Sequence, residues 1–283
     1  MTTLSRETPR EKRTLFRSNP ILNRLNKVTE RSETNAATYA GIATKTTFFL
    51  LMTIVGIGIQ LVVSNMLASE PVWQTITISK KFVVSISLKE AYIIGGVLIV
   101  GVIAELVGIF ARKTIPVTGT IYAVSQGYFI SFLVFKVLGD EYSYLGLEAL
   151  LLTVAVVLVM SWLYSSGIIK VDNKFRTVLL ALVLGTVGLG LLTFIGSLIP
   201  ATRSFVQNIT GNPVISIAVD VIGLIIAALF LISDFAMVQE CVERGYPKDY
   251  EWYAAFGLAF TVIWIYLKIL DLLMQIAGDK KNS

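Results

Sequence analysis

The chain has 283 residues, of which 55% are hydrophobic, and its mean hydropathy is +0.74. Charged residues make up 15% of it, too few to cover the surface of a soluble domain, so the composition excludes an ordinary water-soluble fold. The formal net charge of +5 is interpreted as a signal of membrane topology, and nothing suggests nucleic-acid binding.

The counts of histidine and cysteine exclude several kinds of site. The chain contains no histidine and one cysteine, Cys241. It therefore cannot form an intrachain disulfide, a zinc site built on histidine, or a histidine-based pH switch. If the protein senses protons, carboxylates must do so. No motif supports an enzyme, and no cofactor is expected.

Residues 1–44 differ from the rest of the chain because they are polar and basic. They include no short apolar core followed by a small-residue cleavage site, so they are not a cleavable signal peptide. We interpret them as a cytoplasmic tail. Two forms of this tail stay open: a helix at the membrane interface around residues 21–28, or a disordered basic segment near anionic lipid.

Seven apolar runs follow, each long enough to cross about 30 Å of hydrocarbon as a helix. Because backbone polar groups find no water in lipid, each run must be helical. The prediction is an all-α polytopic membrane protein, with a seven-helix bundle over residues 45–277 and a short tail at 278–283. The runs are 46–66, 92–111, 117–138, 147–169, 178–198, 214–232 and 252–274.

Lysine and arginine are more numerous on the side of the N-terminus, which predicts a cytoplasmic N-terminus and an external C-terminus. Much of this excess lies in the N-terminal tail, so the loops alone do not decide the orientation. The expected location is a cell membrane, which the chain crosses several times.

The longest connection, residues 67–90, alternates partly between polar and apolar side chains, as a strand does. It is either an external hairpin or a loop that lies over the mouth of the bundle, and the sequence does not choose between them.

Five ionisable residues lie within or at the edge of the apolar runs: Glu105, Asp220, Asp234, Lys268 and Asp271. Ionisable side chains are costly in lipid and normally face the interior of a bundle. Three runs also carry small and polar residues at steps of three and four, which places them on one helix face. These stripes are Gly101, Glu105, Gly108 and Arg112 in the second run; Ser216, Asp220, Gly223, Ala227 and Asp234 in the sixth; and Gly257, Thr261, Trp264, Lys268, Asp271 and Gln275 in the seventh.

Two interpretations of the stripes are open. On the first interpretation the stripes serve packing alone, because small residues let membrane helices pack closely and polar residues hydrogen-bond between helices. A cluster of both charge signs at depth instead favours a gate or an ion path. Lys268 and Asp271 also neutralise each other locally at i,i+3, which is the structural interpretation of that pair.

Four stretches resemble a known family. They are "RSNPILNRL" (17–25), "SGIIKVDNKFR" (166–176), "DFAMVQECVERGYPKDYEWYAAFGL" (234–258) and "TVIWIYLKILDLL" (261–273), of which the last two are the most specific. On these stretches the chain resembles the Bax inhibitor-1, or transmembrane Bax inhibitor motif (TMBIM), family in its longer bacterial, YccA-like form.

The resemblance implies a seven-helix bundle with the last helix near its centre and, from the best-known members, a proton-sensitive calcium leak channel. In those members, a carboxylate on the sixth helix pairs with a carboxylate on the seventh helix, and an arginine at the cytoplasmic end of the second helix helps to lock the gate. Asp234 matches the sixth-helix acid. The seventh-helix position falls on Lys268, with Asp271 one turn on as the nearby substitute, and Arg112 or Lys113 matches the basic residue.

We therefore expect a cation leak channel, with calcium as the transported ion, gated by a buried charge cluster between the second, sixth and seventh spans. An Asp234–Lys268 pair is expected to hold a closed state that is largely insensitive to pH near neutrality. Either Arg112 or Lys113 is expected to contact an acid of the sixth or seventh helix, with simple anchoring at the membrane surface as the alternative. The remaining expected roles are Glu105 and Asp220 in the ion path, and Asp234 and Asp271 as calcium contacts.

Two other functions stay open. One is a regulator that binds another membrane protein, such as a membrane protease, with the basic tail as the contact element. The other is a secondary transporter, which broken helices in repeated positions would support, and none is evident. The sequence does not indicate an oligomeric state.

Overall fold

The computed structural model describes residues 36–77 and 82–279, and the predicted helix around 21–28 lies outside these ranges. A 3₁₀ turn, Arg112–Thr114, and a π-helical turn, Phe132–Val137, flank the helix Ile115–Ser131. In chain order the elements are α1 (Tyr39–Met66), β1 (Val72–Thr77), β2 (Val83–Ser87), α2 (Leu88–Phe110), α3 (Ile115–Ser131), α4 (Gly139–Tyr142), α5 (Tyr144–Ser165), α6 (Asn173–Leu198), α7 (Pro200–Thr210), α8 (Pro213–Glu243) and α9 (Tyr250–Asp279).

Seven helices of the described chain are long and apolar enough to cross a membrane, which confirms the predicted all-α polytopic class. They correspond to α1, α2, α3 with its flanking turns, α4 with α5, α6, α8 and α9. Two helices extend furthest past the apolar runs. The first begins at Tyr39, because the Thr38 side chain caps it by accepting a hydrogen bond from the backbone N–H of Gly41. The sixth spanning helix, α8, continues past residue 232 to Glu243.

The last helix, α9, lies at the centre of the bundle, as predicted, because it packs against α8, α1, α5 and α3. Its side chains Ile265 and Leu270 are almost completely buried. By contrast, α6 lies at the periphery, and Leu179 is the one buried residue among the described side chains of that helix. The apolar surface of α6 is therefore left for lipid or for another membrane protein.

Helices α1 and α3 approach each other closely through two glycines. A Cβ on Gly56 would lie 2.1 Å from the carbonyl oxygen of Val124, and a Cβ on Gly127 would lie 1.9 Å from that of Thr53. Because backbone atoms cannot move aside, only glycine fits at both positions. Such contacts are the usual way in which membrane helices gain packing energy.

Residues 67–90 combine the two forms that the sequence left open. Strands β1 and β2 pair antiparallel as a hairpin, and alternate residues of its second half, Phe82, Val84 and Ile86, are buried in the core of the bundle. The hairpin therefore lies over one end of the bundle. We call this end the hairpin end, and the opposite end, where α1 begins, the tail end.

Candidate functional site

The stripes of α8 and α9 face each other, as their spacing predicted. A Cβ on Gly257 would lie 3.5 Å from an oxygen of Asp234, and a Cβ on Gly223 would lie 3.5 Å from Cε of Lys268. Small residues on each helix thus make room for polar side chains of the other. We call this interface the polar seam. It comprises Asp220, Gly223 and Asp234 of α8 with Gly257, Thr261, Lys268 and Gln275 of α9.

Asp234 is hydrogen-bonded to a hydroxyl group on the facing helix. The Thr261 Oγ1 donates a hydrogen bond of 2.5 Å to the Asp234 Oδ2. Asp234 is 8% exposed, so water has little access to it. This part of the polar seam lies nearer the tail end, nine residues before the end of α8 at Glu243.

Asp220 has a different set of partners, deeper toward the hairpin end. Its Oδ1 lies 2.9 Å from the Lys268 Nζ, and the side-chain amide of Gln275 donates to its Oδ2. Asp271 is exposed but lies within electrostatic range of both Asp220 and Lys268. The ammonium and the amide together engage both oxygens of this buried carboxylate.

The expected pair between Asp234 and Lys268 is wrong, since Lys268 pairs with Asp220. Asp234 and Asp220 are fourteen residues apart on one continuous helix, which separates their positions along it by roughly 21 Å at 1.5 Å per residue. Lys268 lies at the depth of Asp220, so its ammonium cannot serve both. The expected closed state held by Asp234 and Lys268, and the insensitivity to pH that it implied, therefore lose their structural basis.

Arg112 reaches the start of α9 at the tail end. Its guanidinium lies 3.3 Å from the Asp249 Oδ2 and 3.6 Å from the centre of the Tyr250 ring. The acid that it contacts precedes α9 and lies outside the polar seam, so the expected contact with an acid of a spanning helix is wrong. Lys113 is exposed. A role in gating stays a prediction for both residues.

The stripe of α2 packs mainly on α3, away from the α8–α9 interface. A Cβ on Gly101 would lie 3.0 Å from Cβ of Ser125, and one on Gly108 would lie 3.2 Å from Oγ1 of Thr118. Glu105 is half-buried on the same face, within electrostatic range of Tyr122. The polar seam is thus formed by the sixth and seventh spans, and the second span contributes a separate carboxylate.

A second ionic cluster, at the tail end, was not predicted. The carboxylate of Glu251 is fully buried at the start of α9. It accepts hydrogen bonds from the backbone N–H of Thr38 (2.9 Å) and from its hydroxyl (3.1 Å), and it forms an ion pair with Lys45 of α1. We call these three residues the tail-end clamp. Glu251 is more than 200 positions from each of its two partners, and no local pattern could have paired them.

No group of three or more cysteine, aspartate or glutamate side chains in residues 36–77 and 82–279 could hold a metal ion. Calcium contact by Asp234 and by Asp271 stays a prediction, and the two carboxylates do not share one site, because Asp271 lies near Asp220 and Lys268. The polar seam therefore offers one buried carboxylate at each of two depths, Asp234 beside a neutral hydroxyl and Asp220 beside an ammonium and an amide.

The fold and the polar seam define a polytopic helical membrane protein that keeps charged groups between two central helices. Comparison with known families gives the family of the chain: a family described as "Bax inhibitor 1 like" matches residues 19–278. Because this match covers nearly the whole chain, the protein belongs to the Bax inhibitor 1-like family, which confirms the resemblance. A search of curated proteins found no match.

Proposed function

We propose that the protein is a cation leak channel whose path runs along the polar seam between α8 and α9. Calcium is the ion that the family resemblance implies. Ionisable residues within a membrane normally mark ion or substrate pathways, and rings of carboxylates favour cations over anions. Asp234 and Asp220 would supply this negative charge at two depths of one interface.

The observation that carries the proposal is the surroundings of Asp234. This carboxylate is buried, and its hydrogen-bond donor is the neutral hydroxyl of Thr261. Among the described residues, no lysine or arginine lies within ion-pair distance of it. A buried carboxylate without a counter-charge is costly, so packing alone is a poor reason to keep one.

The chemistry of this position suits a hard cation. Calcium binds both negatively charged carboxylate oxygens and neutral oxygen ligands, and Asp234 with Thr261 offers both kinds. A single carboxylate binds calcium weakly, which a leak requires, since an ion must leave the site as readily as it arrives. Glu105 could add a further carboxylate beside α3, although it lies outside the polar seam.

Ion flow would require α8 and α9 to separate along the polar seam. In the described conformation the interface is tightly packed: Ala227 of α8 is 0% exposed, and the side chain of Lys268 lies against Gly223. Contacts at the start of α9, including the tail-end clamp and the Arg112–Asp249 pair, connect this helix to α1 and to the turn before α3. They are suited to control the movement of α9.

The experiment is a calcium flux assay with purified protein in liposomes that contain a trapped calcium indicator. Wild-type protein should raise the flux above that of protein-free liposomes, and Asp234→Asn should change it severalfold. Asp140→Asn is the matched control, because Asp140 is an exposed aspartate at the hairpin end. Wild-type flux equal to that of protein-free liposomes, or equal effects of the two substitutions, would refute the proposal.

A second candidate function is the regulation of another membrane protein, for which the exposure of α6 is the supporting observation. Nearly all of its described side chains are left to lipid or to a partner. Under this alternative, substitutions on the exposed face of α6, such as Leu184→Ala, would abolish regulation, whereas Asp234→Asn would have no effect.

A further inference from the structure

We propose that Lys268 is a tethered cation that blocks the polar seam, and that its ammonium occupies a cation-binding position formed by Asp220 and Gln275. The cation position is inferred from contacts alone. The consequence for ion flow rests on the proposed channel function, and the experiment below separates the two.

The contacts at Asp220 are those that a bound cation would make. The Lys268 Nζ lies 2.9 Å from Oδ1 of a carboxylate whose side chain is 10% exposed. Gln275 donates its amide N–H to the other carboxylate oxygen. Its own carbonyl oxygen, Oε1, is buried and has no hydrogen-bond partner among the described residues. The two carboxylate oxygens of Asp220 and the unpartnered amide oxygen of Gln275 therefore belong to neighbouring side chains. Carboxylate and amide oxygens are both ligands that hard cations prefer.

The route by which the lysine reaches this position is also defined. A Cβ on Gly223 would lie 3.5 Å from Cε, 3.6 Å from Cδ and 3.8 Å from Nζ of Lys268, so the lysine stem lies directly on the glycine surface of α8. The side chain is 29% exposed, whereas that of Asp220 is 10% exposed. A lysine side chain that is partly exposed can swing away from the carboxylate, while the more deeply buried carboxylate stays in place.

The charge balance explains why the ammonium blocks a cation. Asp271 lies within electrostatic range of Asp220 and Lys268, so two carboxyl groups share one ammonium group. A second cation would meet the like charge of the ammonium at the position that it needs. Without the ammonium, the buried charge of Asp220 would be uncompensated, and a mobile cation is the natural replacement.

The expected affinity is low. No group of three or more acidic side chains in the described residues is arranged to hold a metal ion, so a divalent ion would find fewer ligands than the six to eight oxygens of a tight calcium site. Weak binding distinguishes an ion path from a storage or structural site. It also means that the binding test needs a probe with a sensitive signal.

The probe is Tb³⁺, a calcium substitute whose luminescence a nearby tryptophan sensitises, and Trp264 lies one turn before Lys268 on the stripe of α9. In full-length purified protein, Lys268→Met should create a luminescence signal that excess calcium removes. Lys268→Arg, which keeps the charge, should not create it. Adding Asp220→Asn to Lys268→Met should abolish the signal. If Lys268→Met does not fold, Lys268→Gln replaces it, because glutamine can still donate to Asp220.

The same variants are then compared in the liposome flux assay. Lys268→Met should raise calcium flux by at least about tenfold, because one like charge is removed from the path, and Asp220→Asn should cancel the increase. A luminescence signal without any flux in wild type or variant would support the cation position and refute the channel. Flux that rises without dependence on Asp220, or neutral variants that bind no Tb³⁺, would overturn this inference.

Discussion

At the scale of single residues, the two buried aspartates of α8 have chemically different partners. Asp220 is neutralised by an ammonium and an amide, whereas Asp234 accepts a hydrogen bond from a hydroxyl. The loss of either arrangement leaves a carboxylate unsatisfied in an apolar interior, and the cost depends on which partner is lost.

The hydroxyl of Thr261 is expected to stabilise the fold through Asp234. Thr261→Val has nearly the same shape but removes the donor, so we expect it to lower the free energy of unfolding by about 1–3 kcal/mol, the usual cost of an unsatisfied buried polar group. Thr261→Ser keeps the hydroxyl and is the control for side-chain size. Thermal unfolding in detergent, followed by tryptophan fluorescence, provides the comparison. Equal unfolding of the valine and serine variants would mean that the hydrogen bond contributes nothing.

Sequence patterns predicted the faces on which these residues lie but not which residues would pair. Steps of three and four placed Thr261, Lys268 and Gln275 on one face of α9, and each of them does contact a polar residue of α8. The partner of each depends on how far one helix slides along the other. A shift of about four turns, the separation of Asp220 and Asp234, leaves every stripe intact and changes the pairs, so the spacing alone does not decide which aspartate is the partner of Lys268.

At the scale of helices, the tail-end clamp joins the beginning of α1 to the beginning of α9. Glu251 is 0% exposed, and its partner Lys45 also lies 5.3 Å from the centre of the Trp252 ring. A Cβ on Gly41 would overlap the Glu251 carboxylate, so the approach of the two helices depends on that glycine. The contact fixes the central helix at the end where the predicted tail enters the bundle.

The ion pair of the clamp is expected to show strong coupling between its two members. Because removal of one partner leaves the other charge buried, Lys45→Met should lower the free energy of unfolding by about 3–5 kcal/mol. The double variant Lys45→Met/Glu251→Gln should recover part of that loss, which a double-mutant cycle in detergent would measure. The pair of Glu70 and Lys89 at the hairpin end, which is more exposed, is the control. The coupling free energy from its double-mutant cycle should be less than about 1 kcal/mol. Additive effects at Lys45 and Glu251 would contradict a buried ion pair.

At the scale of the whole molecule, the number of spans could be predicted because lipid leaves the backbone no alternative to helix. The hairpin could not be assigned in the same way, since its strands are stabilised partly by the burial of Phe82, Val84 and Ile86 against the bundle. The tail-end clamp also depends on the assembled bundle. Long-range packing, therefore, marks the boundary between what the sequence predicted and what required the structure.

The orientation of the molecule stays a prediction from charge. With seven spans, the two termini should lie on opposite sides of the membrane, and the basic tail should be cytoplasmic. In a Cys241→Ala background, a cysteine introduced at Ser283 should react with a membrane-impermeant thiol reagent added to intact cells. Reaction only after permeabilisation would place the C-terminus inside and contradict the predicted topology.

The central claim is that ions move along the polar seam, and the most direct test is the aqueous accessibility of that interface in protein that conducts. In the Cys241→Ala background, Ala227→Cys lies on the stripe of α8, and Ile222→Cys, on the same helix but 54% exposed, is the control that faces outward. Each variant is reconstituted in liposomes, and calcium flux is measured before and after a small, charged thiol reagent is added. We expect the reagent to inhibit flux through Ala227→Cys and to leave flux through Ile222→Cys unchanged. Equal sensitivity of both variants, or conduction that the reagent does not affect at Ala227→Cys, would contradict a path between α8 and α9.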